Sequence, residues 1–305
     1  MIALTIGMLI MAALVALFIN ITRNNRELAK VNSQIESGRF ALQILESDLV
    51  HAGFWGELSP VAATAVLADP CLVSWDATYK ANMLGMPVLG FSSATIPGTC
   101  TKVSGALAAG DILMVRHANT CVAGSANCDG AADTGPHIQV SGCTATPEAA
   151  YVIDSTTFPL SEKNCTTIAA RRKVVTNIYY LATSNDQPTL MRVSLVNGAY
   201  QTAEPLIEGI EALRFEYGID STGDGSPDSY LSATPTTLAQ LANIVAVKVH
   251  VLARSLETSP GYVDGKSYQL GTTAYTVPTA DKGYKRHVFS STIRLVNPSG
   301  RREVP

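Results

Sequence analysis

The chain has 305 residues, enough for one large domain or two small ones. Hydrophobic residues make up 47% of it and charged residues 15%, below the roughly one quarter usual in soluble globular proteins. The formal net charge of −3 argues against the basic surface of nucleic-acid-binding proteins, so no direct nucleic-acid binding is expected.

The first 22 residues form an uncharged apolar run that ends at Arg23. As a helix they would span about 33 Å at 1.5 Å per residue, enough to cross the hydrocarbon core of a bilayer. A secretory signal peptide would need a cationic start and a shorter apolar core. We therefore predict a membrane anchor, with Ile10, Leu14 and Leu17 on its apolar stripe.

Three cations, Arg23, Arg26 and Lys30, directly follow this run. The positive-inside rule would place their side of the membrane in the cytoplasm, whereas the cysteines further along indicate an oxidising compartment. The two indications agree only if a stronger positive signal precedes Met1. We therefore expect that the natural chain begins further upstream.

Residues 23–53 contain no proline and continue the helical pattern. Their apolar residues recur at alternating steps of three and four, as at the a and d positions of a coiled coil, with Gly38 at the one missing position. These residues are Leu28, Val31, Ile35, Leu42, Leu45 and Leu49. A second apolar edge, Phe40 and Ile44, is predicted to face a folded head. Gly38 weakens the helix by about 1 kcal/mol relative to alanine.

The two segments together predict one continuous helix of about 50 residues, with its first half in lipid and its second half packed on a head. The alternative is an ordinary signal-anchor helix followed by a short coiled coil.

Six cysteines lie in one loop-rich part of the chain and favour disulfides in an oxidising compartment over a zinc site, since the usual C-x₂₋₄-C spacing is missing. They are Cys71, Cys100, Cys121, Cys128, Cys143 and Cys165. Six cysteines allow fifteen pairings. Our expectation is nearest-neighbour pairing, Cys71 with Cys100, Cys121 with Cys128 and Cys143 with Cys165.

Past Trp55 the helical period disappears and strand patterns follow. Residues 56–170 are mostly small and polar, with short β-like runs at 111–118 and 150–158. Stronger alternating runs lie at 172–184, 188–196, 211–220, 243–255 and 285–296, and the first two are separated by the hairpin turn Asn-Asp-Gln. A short helical turn is predicted over 237–243.

These elements predict an α+β fold in which one face of an antiparallel sheet packs on the second half of the N-terminal helix and the other face is partly exposed. We divide the chain into a transmembrane and assembly helix, residues 1–54, and a β-rich head, residues 55–305. Within the head, residues 56–170 form a cysteine-bearing variable region and residues 171–305 the core sheet.

The stretch DSTGDGSPD, residues 220–228, matches the front half of an EF-type calcium loop. Its candidate oxygen ligands alternate along the chain and are Asp220, Thr222, Asp224, Ser226 and Asp228. The bidentate Glu expected at position 12 is replaced by Leu231. The pattern fits a structural calcium ion held with a dissociation constant of about 10⁻⁴–10⁻³ M, and equally a hairpin of Asx-type turns that needs no ion.

Motifs of catalysis are missing from the sequence. The five histidines lie in unrelated contexts, and there is no H-E-x-x-H, G-x-S-x-G, Walker loop or dinucleotide-binding glycine pattern. We therefore name no catalytic residue and expect a protein that is not an enzyme and needs no cofactor other than the calcium ion considered above.

The N-terminal 56 residues resemble the N-terminal helix of type IV minor pilins, most closely those of the PilW type. The resemblance includes RFALQILESDLVHAGFWG (39–56) at the end of this helix. It continues in PLIEGIEALRFEYGIDSTGDGSPDSY (205–230) and in KRHVFSSTIRLVNPSG (285–300). Precursors of that family carry a basic leader and a processing site of the form G-F-T-L-x-E-L. The cleavage glycine, the methylated first residue and the assembly glutamate have no counterpart in this sequence.

The resemblance implies a pilin fold and a structural role. Such a protein is held in the inner membrane of a Gram-negative bacterium with its head in the periplasm, and then enters an extracellular type IV pilus. It joins a small complex that primes assembly, sits at the tip, can carry an adhesin and supports adhesion or twitching motility. Its partners are minor and major pilins, which contact the N-terminal helix through Ile10, Leu14, Leu17, Leu28, Val31 and Ile35.

Two other functions fit the same sequence. One is a J-type pseudopilin at the tip of a type II secretion pseudopilus. The other is a membrane-tethered extracytoplasmic binding or hydrolytic module that uses the anchor for localisation alone.

Overall fold

A computed structural model describes residues 2–93, 95–128, 130, 134–145 and 147–303, with side chains from residue 6 onward. Every statement about the structure below refers to these residues.

The N-terminal helix α1, Ile2–Leu49, is continuous over 48 residues, or about 72 Å. This confirms the predicted single helix. The helix ends in a turn at residues 50–53, where Gly53 has a φ of 71° and its N–H donates to the carbonyl of Arg116 at 3.0 Å. The predicted limit of the helical segment, residue 54, falls just after this turn.

The larger of two main sheets has eight antiparallel strands, in the order β1-β2-β5-β3-β4 with β6, β7 and β8 continuing from β5. Its strands are β1 Val88–Ser92, β2 Asp111–Ala118, β3 His137–Val140, β4 Tyr151–Asp154, β5 Arg171–Ser184, β6 Gln187–Val196, β7 Ala199–Tyr200 and β8 Glu204–Glu208. The turn between β5 and β6 consists of Asn185 and Asp186, both with positive φ, as a two-residue hairpin turn requires.

The second sheet has four antiparallel strands in the order β10-β9-β11-β14, and a separate hairpin, β12–β13, lies beside it. The strands are β9 Ile210–Ile219, β10 Ser229–Leu231, β11 Ile244–Arg254, β12 Ser267–Leu270, β13 Thr273–Thr276 and β14 Arg286–Arg294. The second half of α1 packs on β11 and β14.

Short helices connect the strands: α2 Ala77–Gly85, α3 Leu238–Ala242, the 3₁₀ turn Thr279–Asp281 and α4 Val296–Gly300. The predicted helical turn at 237–243 is α3. Thr237 and Gln240 form its capping box, each side chain bonding the other's backbone N–H.

The head differs in one respect from the predicted division into a variable region and a core sheet. β5 begins at residue 171 and pairs with β2 and β3, which lie in the 56–170 region. The two regions therefore share one sheet, because the long strand β5 needs hydrogen-bonding partners along both edges.

The main core lies between the second half of α1 and the two sheets. From α1 it receives Ala41, Leu45 and Leu49, which are fully buried. These residues join strand side chains of both sheets in one cluster. Burial of this helix face against the head fixes the helix to the sheet.

Strand β11 shows the alternation predicted from its sequence. Val247, Val249 and Val251 face the main core. On the opposite side Lys248 is half-buried, but His250 is buried, because the β12–β13 hairpin covers part of that face.

A buried arginine ties this hairpin region to the second sheet. The side chain of Arg286 is inaccessible to solvent and forms ion pairs with Glu211 at 2.5 and 2.9 Å and with Asp264 at 3.2 Å. Both carboxylates are themselves buried. The positive charge of Arg286 is therefore neutralised by carboxylates of the protein itself.

The predicted α+β fold is confirmed. One long helix lies on an antiparallel sheet, and the disulfide-bearing loops belong to the head. This is the layering that the resemblance to pilins implies.

Candidate functional site

The first half of α1 carries the surface predicted to meet lipid and neighbouring helices. Every side chain over residues 6–21 is exposed, and Ile10, Leu14 and Leu17 are each more than half exposed. Among the described helices only this one is long and apolar enough to cross a membrane; its most apolar 18-residue window has a mean hydropathy of 2.0. An apolar surface without a partner in its own chain suits lipid or another apolar helix.

In the second half of α1 the predicted assembly residues fall into two groups. Leu28 is 61% exposed, whereas Val31 and Ile35 are half-buried at the edge of the contact with the head. The prediction that Phe40 faces the head was wrong, since its ring is mostly exposed. The helix face on the head passes through Ala41 instead, where a small side chain allows close packing.

Close to the apolar half of α1, a charged group joins the helix to the head. The ammonium of Lys285 lies 2.6 Å from Glu27 Oε2, and the Ser259 hydroxyl donates to the same oxygen at 2.6 Å. These two hydrogen bonds hold the pKa of Glu27 at about 2. Lys30 donates to the carbonyl of Thr258 at 2.9 Å.

Further along, two residues without apolar side chains make the contact. Gln34 is buried, and its amide donates to the Ala253 carbonyl at 2.8 Å. At Gly38 the ring of Phe289 lies against the helix backbone, and a Cβ at this position would overlap the ring. Gly38 is therefore needed for the approach of β14, a role that the a/d stripe did not predict.

Near the end of α1 a buried polar group joins the helix to the larger sheet. Asp48 is buried; its Oδ1 lies 2.8 Å from His117 Nε2, and its Oδ2 accepts from the side-chain amide of Asn177 at 3.1 Å. His117 Nδ1 lies 2.8 Å from the Ala118 carbonyl oxygen.

Both ring nitrogens of His117 thus face atoms that can only accept hydrogen bonds, which is satisfied when both nitrogens carry protons. Burial disfavours the charged ring, but the hydrogen bond and charge of Asp48 outweigh it and raise the pKa of His117. Below the folded-state pKa of His117, the base of the helix is held by a buried imidazolium–carboxylate pair.

The predicted calcium loop is closed by hydrogen bonds within the protein. Asp220 is buried and accepts the N–H groups of Gly223 at 2.6 Å and Gly225 at 2.9 Å. Its Oδ2 also lies 3.2 Å from the guanidinium of Arg302. Burial would raise the pKa of Asp220, but these donors lower it. An arginine thus supplies positive charge to the first predicted ligand.

Of the other predicted ligands, Asp224 forms an Asx-type turn, and Asp228 accepts hydrogen bonds from the start of the loop. Asp228 Oδ2 accepts the N–H groups of Ser221 at 2.7 Å and Thr222 at 3.0 Å, and Asp224 accepts that of Ser226 at 2.8 Å. No group of three or more His, Cys, Asp or Glu side chains in the described parts of the chain could hold a metal ion. Calcium binding here stays a prediction.

The six cysteines form three disulfides in nearest-neighbour pairs, with Cα–Cα separations of 5.2, 5.6 and 4.9 Å. The pairs are Cys71–Cys100, Cys121–Cys128 and Cys143–Cys165. Each closes a local loop of the 56–170 region.

Comparison with known proteins gives one family match. A sequence model described as "Type IV Pilus-assembly protein W" matches residues 178–297. This span runs from within β5 to the start of α4 and includes the head residues that contact Glu27, Gln34 and Gly38 of α1, but not His117 and Asn177, which contact Asp48. Among solved structures, the chain is similar to a type IV-like pilin from Thermus thermophilus, with 13% identity and a TM-score of 0.41 over 87% of this chain and 96% of that one. No curated protein matches the chain.

Proposed function

We propose that the chain is a type IV pilin of the PilW type, since a sequence model of the type IV pilus-assembly protein W family matches residues 178–297, and that it works as a structural minor pilin. It is held in the inner membrane by the first half of α1 and then moves into a filament with its head outward.

The observation that carries this proposal is the exposed apolar half of α1 in direct continuity with a half that is fixed to the head. The exposed side chains of residues 6–21 need an apolar environment. Lipid supplies it before assembly, and neighbouring pilin helices supply it afterwards. Since the head is attached through Glu27, Gln34 and Asp48, it moves with the helix from one environment to the other.

The size of the head supports a position at the filament end. Residues 56–170 add four strands and three disulfide loops to the larger sheet. A head enlarged in this way would crowd a repeating helical lattice, whereas a tip has free space on one side. We infer that the protein joins a tip or priming complex, with other pilins and an adhesin as partners, in a Gram-negative bacterium.

The test is the replacement of one exposed residue of the stalk. Leu28→Ser removes an apolar side chain that is 61% exposed and is not one of the residues of the main core, so the head should fold normally. Its matched control is Ile168→Ser, a head residue that is also 61% exposed. The measurement is the amount of sheared surface pili and the amount of this chain within them.

We expect Leu28→Ser to reduce both quantities and Ile168→Ser to leave them unchanged. Normal piliation in a Leu28→Ser strain with normal protein levels would refute the assembly role of this stripe. A tethered enzyme would keep its activity in that strain and affect no filament. A J-type pseudopilin would instead be required for protein secretion and not for pili.

A further inference from the structure

A cleft of about 460 Å³ lies between α1 and the head loop that precedes β12, at the point where the apolar half of the helix ends. Its wall nearer the N-terminus is formed by Phe18 and Ile19, and its other wall carries cations. The loop closes the cleft through Glu257 and Pro260. The cleft thus has an apolar end and a charged end.

The position of this cleft along the helix matches the edge of a bilayer. The apolar run ends at Arg23, the first charged residue of the helix, and charged side chains at the end of such a run lie at the level of the headgroups. Phe18 and Ile19 would then lie at the outermost level of the acyl chains. Arg23 and Arg26, one to two turns further on, would lie at the level of the lipid phosphates.

The charges of the cleft are unevenly matched. Lys30 is paired with Glu27 at 3.3 Å and Glu257 at 3.5 Å. The Arg23 guanidinium donates to the Pro260 carbonyl at 3.0 Å, an uncharged partner. Arg26 lines the same cleft, is exposed, and has no hydrogen-bond or ion-pair partner among the residues that the structure describes. Two guanidinium groups therefore remain without an anion.

We propose that this cleft binds one anionic phospholipid of the surrounding bilayer. The phosphate lies between Arg23 and Arg26, whose forked donors suit a phosphate oxygen pair, and the acyl chains run along Phe18 and Ile19. The Pro260 carbonyl holds Arg23 in place, so that the head loop becomes part of the lipid site. The proposal rests on the membrane anchoring proposed above and adds a specific ligand to it.

The site also gives a reason for the cations that follow the apolar run. On the side of the membrane that carries the disulfides, positive charge opposes the usual orientation signal. Arg23 and Lys30 donate hydrogen bonds to carbonyls of the head loop. In the proposed site, Arg23 and Arg26 also bind the lipid phosphate.

The experiment uses the full chain in nanodiscs that contain phosphatidylcholine and phosphatidylglycerol. Native mass spectrometry after release counts the lipids of each kind that stay bound. One basic residue near a membrane surface contributes about a fivefold preference for anionic lipid. Arg26→Gln should therefore lower the preference for phosphatidylglycerol about fivefold. An unchanged melting temperature would show that the variant is folded.

The matched control moves the charge without removing it. The double variant Asn25→Arg, Arg26→Gln has the same net charge at the same depth, on a different face of the helix. We expect it to show the same lowered preference for phosphatidylglycerol as Arg26→Gln. Restored preference in the double variant would overturn the proposal in favour of general surface electrostatics, and so would equal retention of both lipids by the unaltered chain.

Two further outcomes are separable. Displacement of the lipid by excess inorganic phosphate would also overturn the proposal, since the site would then take free phosphate without its acyl chains. Failure of the unaltered chain to enter nanodiscs of any composition would instead refute the anchoring on which the proposal rests.

Discussion

Gly38→Ala should destabilise the protein, although alanine is the better helix former. In an exposed helix the change would stabilise by about 1 kcal/mol. Here the new Cβ would come within 2.9 Å of Phe289 Cζ and closer still to two other ring atoms. Forcing extra atoms into a packed contact typically costs about 1–3 kcal/mol. The expected result is a net destabilisation of up to about 2 kcal/mol.

A double-mutant cycle separates the two effects. In a Phe289→Ala background the ring is gone, so Gly38→Ala should stabilise by the full helix-propensity gain of about 1 kcal/mol. The coupling between the two sites would then be about 1–3 kcal/mol. The assay is the melting temperature of the full chain in detergent micelles, where 1 kcal/mol corresponds to about 2–4 °C for a protein of this size class.

The sign of the change is the decisive result. If Gly38→Ala shifts the melting temperature in the same direction and by the same amount in both backgrounds, the two residues are not in contact. The proposed attachment of α1 to β14 through this glycine would then be incorrect.

Three further predictions concern other contacts. The pKa of His117 is raised in the folded state, so its charged form stabilises the protein fully below the unfolded-state pKa of about 6.5, and this stabilisation is lost as the pH rises through the folded-state pKa. Melting temperatures should therefore fall as the pH is raised across this range. Asp48→Asn should make the melting temperature less dependent on pH. Arg286→Met leaves two buried carboxylates without their cation and should lower the free energy of unfolding by about 3–5 kcal/mol. The control Arg294→Met, at the surface, should change it by less than about 1 kcal/mol. Equal decreases in the free energy of unfolding for both variants, measured by denaturant titration, would contradict this. A calcium ion in the 220–228 loop would raise the melting temperature in millimolar calcium, and Asp224→Asn should abolish that rise; a rise that survives the substitution would rule out this loop as the site.

Elements with a strong period could be predicted from the sequence. The apolar run and heptad stripe predicted α1 as one helix, and the alternation in β11 predicted which of its faces meets the core. A hairpin with the short polar turn Asn-Asp-Gln was predicted between two strand patterns; in the structure the turn is Asn185–Asp186, both with positive φ, and Gln187 begins β6. In each case the signal is local, so neighbouring residues suffice to express it.

The face of α1 on the head could not be predicted in the same way. Hydrophobic periodicity predicted the buried Leu45 and Leu49, but it also favours the exposed Leu28 and Phe40. It does not favour Gln34, Gly38 and Asp48, which make the rest of the contact. Together with Ala41 and Leu45 these residues form a stripe with alternating steps of four and three residues. A pattern that counts only apolar side chains does not include Gln34, Gly38 or Asp48. A search for polar and small residues at heptad spacing would have found this face.

Elements that depend on distant partners were missed for a different reason. The β12–β13 hairpin has short strands with little alternation, and a buried ion pair between distant parts of the chain ties its region to the second sheet. Likewise the DSTGDGSPD stretch shows its turns in the sequence, but the partner of Asp220 is Arg302, 82 residues away. No local pattern contains that information.

The nearest-neighbour arrangement of the three disulfides has a consequence for how the head is made. When a chain crosses a membrane behind its own anchor, its cysteines reach the far side in sequence order. In each of the three disulfides, the later cysteine therefore arrives directly after its native partner. No bond has to wait for a residue that is still inside the cell, and none has to be broken and formed again. An oxidant at the exit side is therefore sufficient, and the covalent loops can be complete before β6, β9 and β11 appear to close the sheets around them.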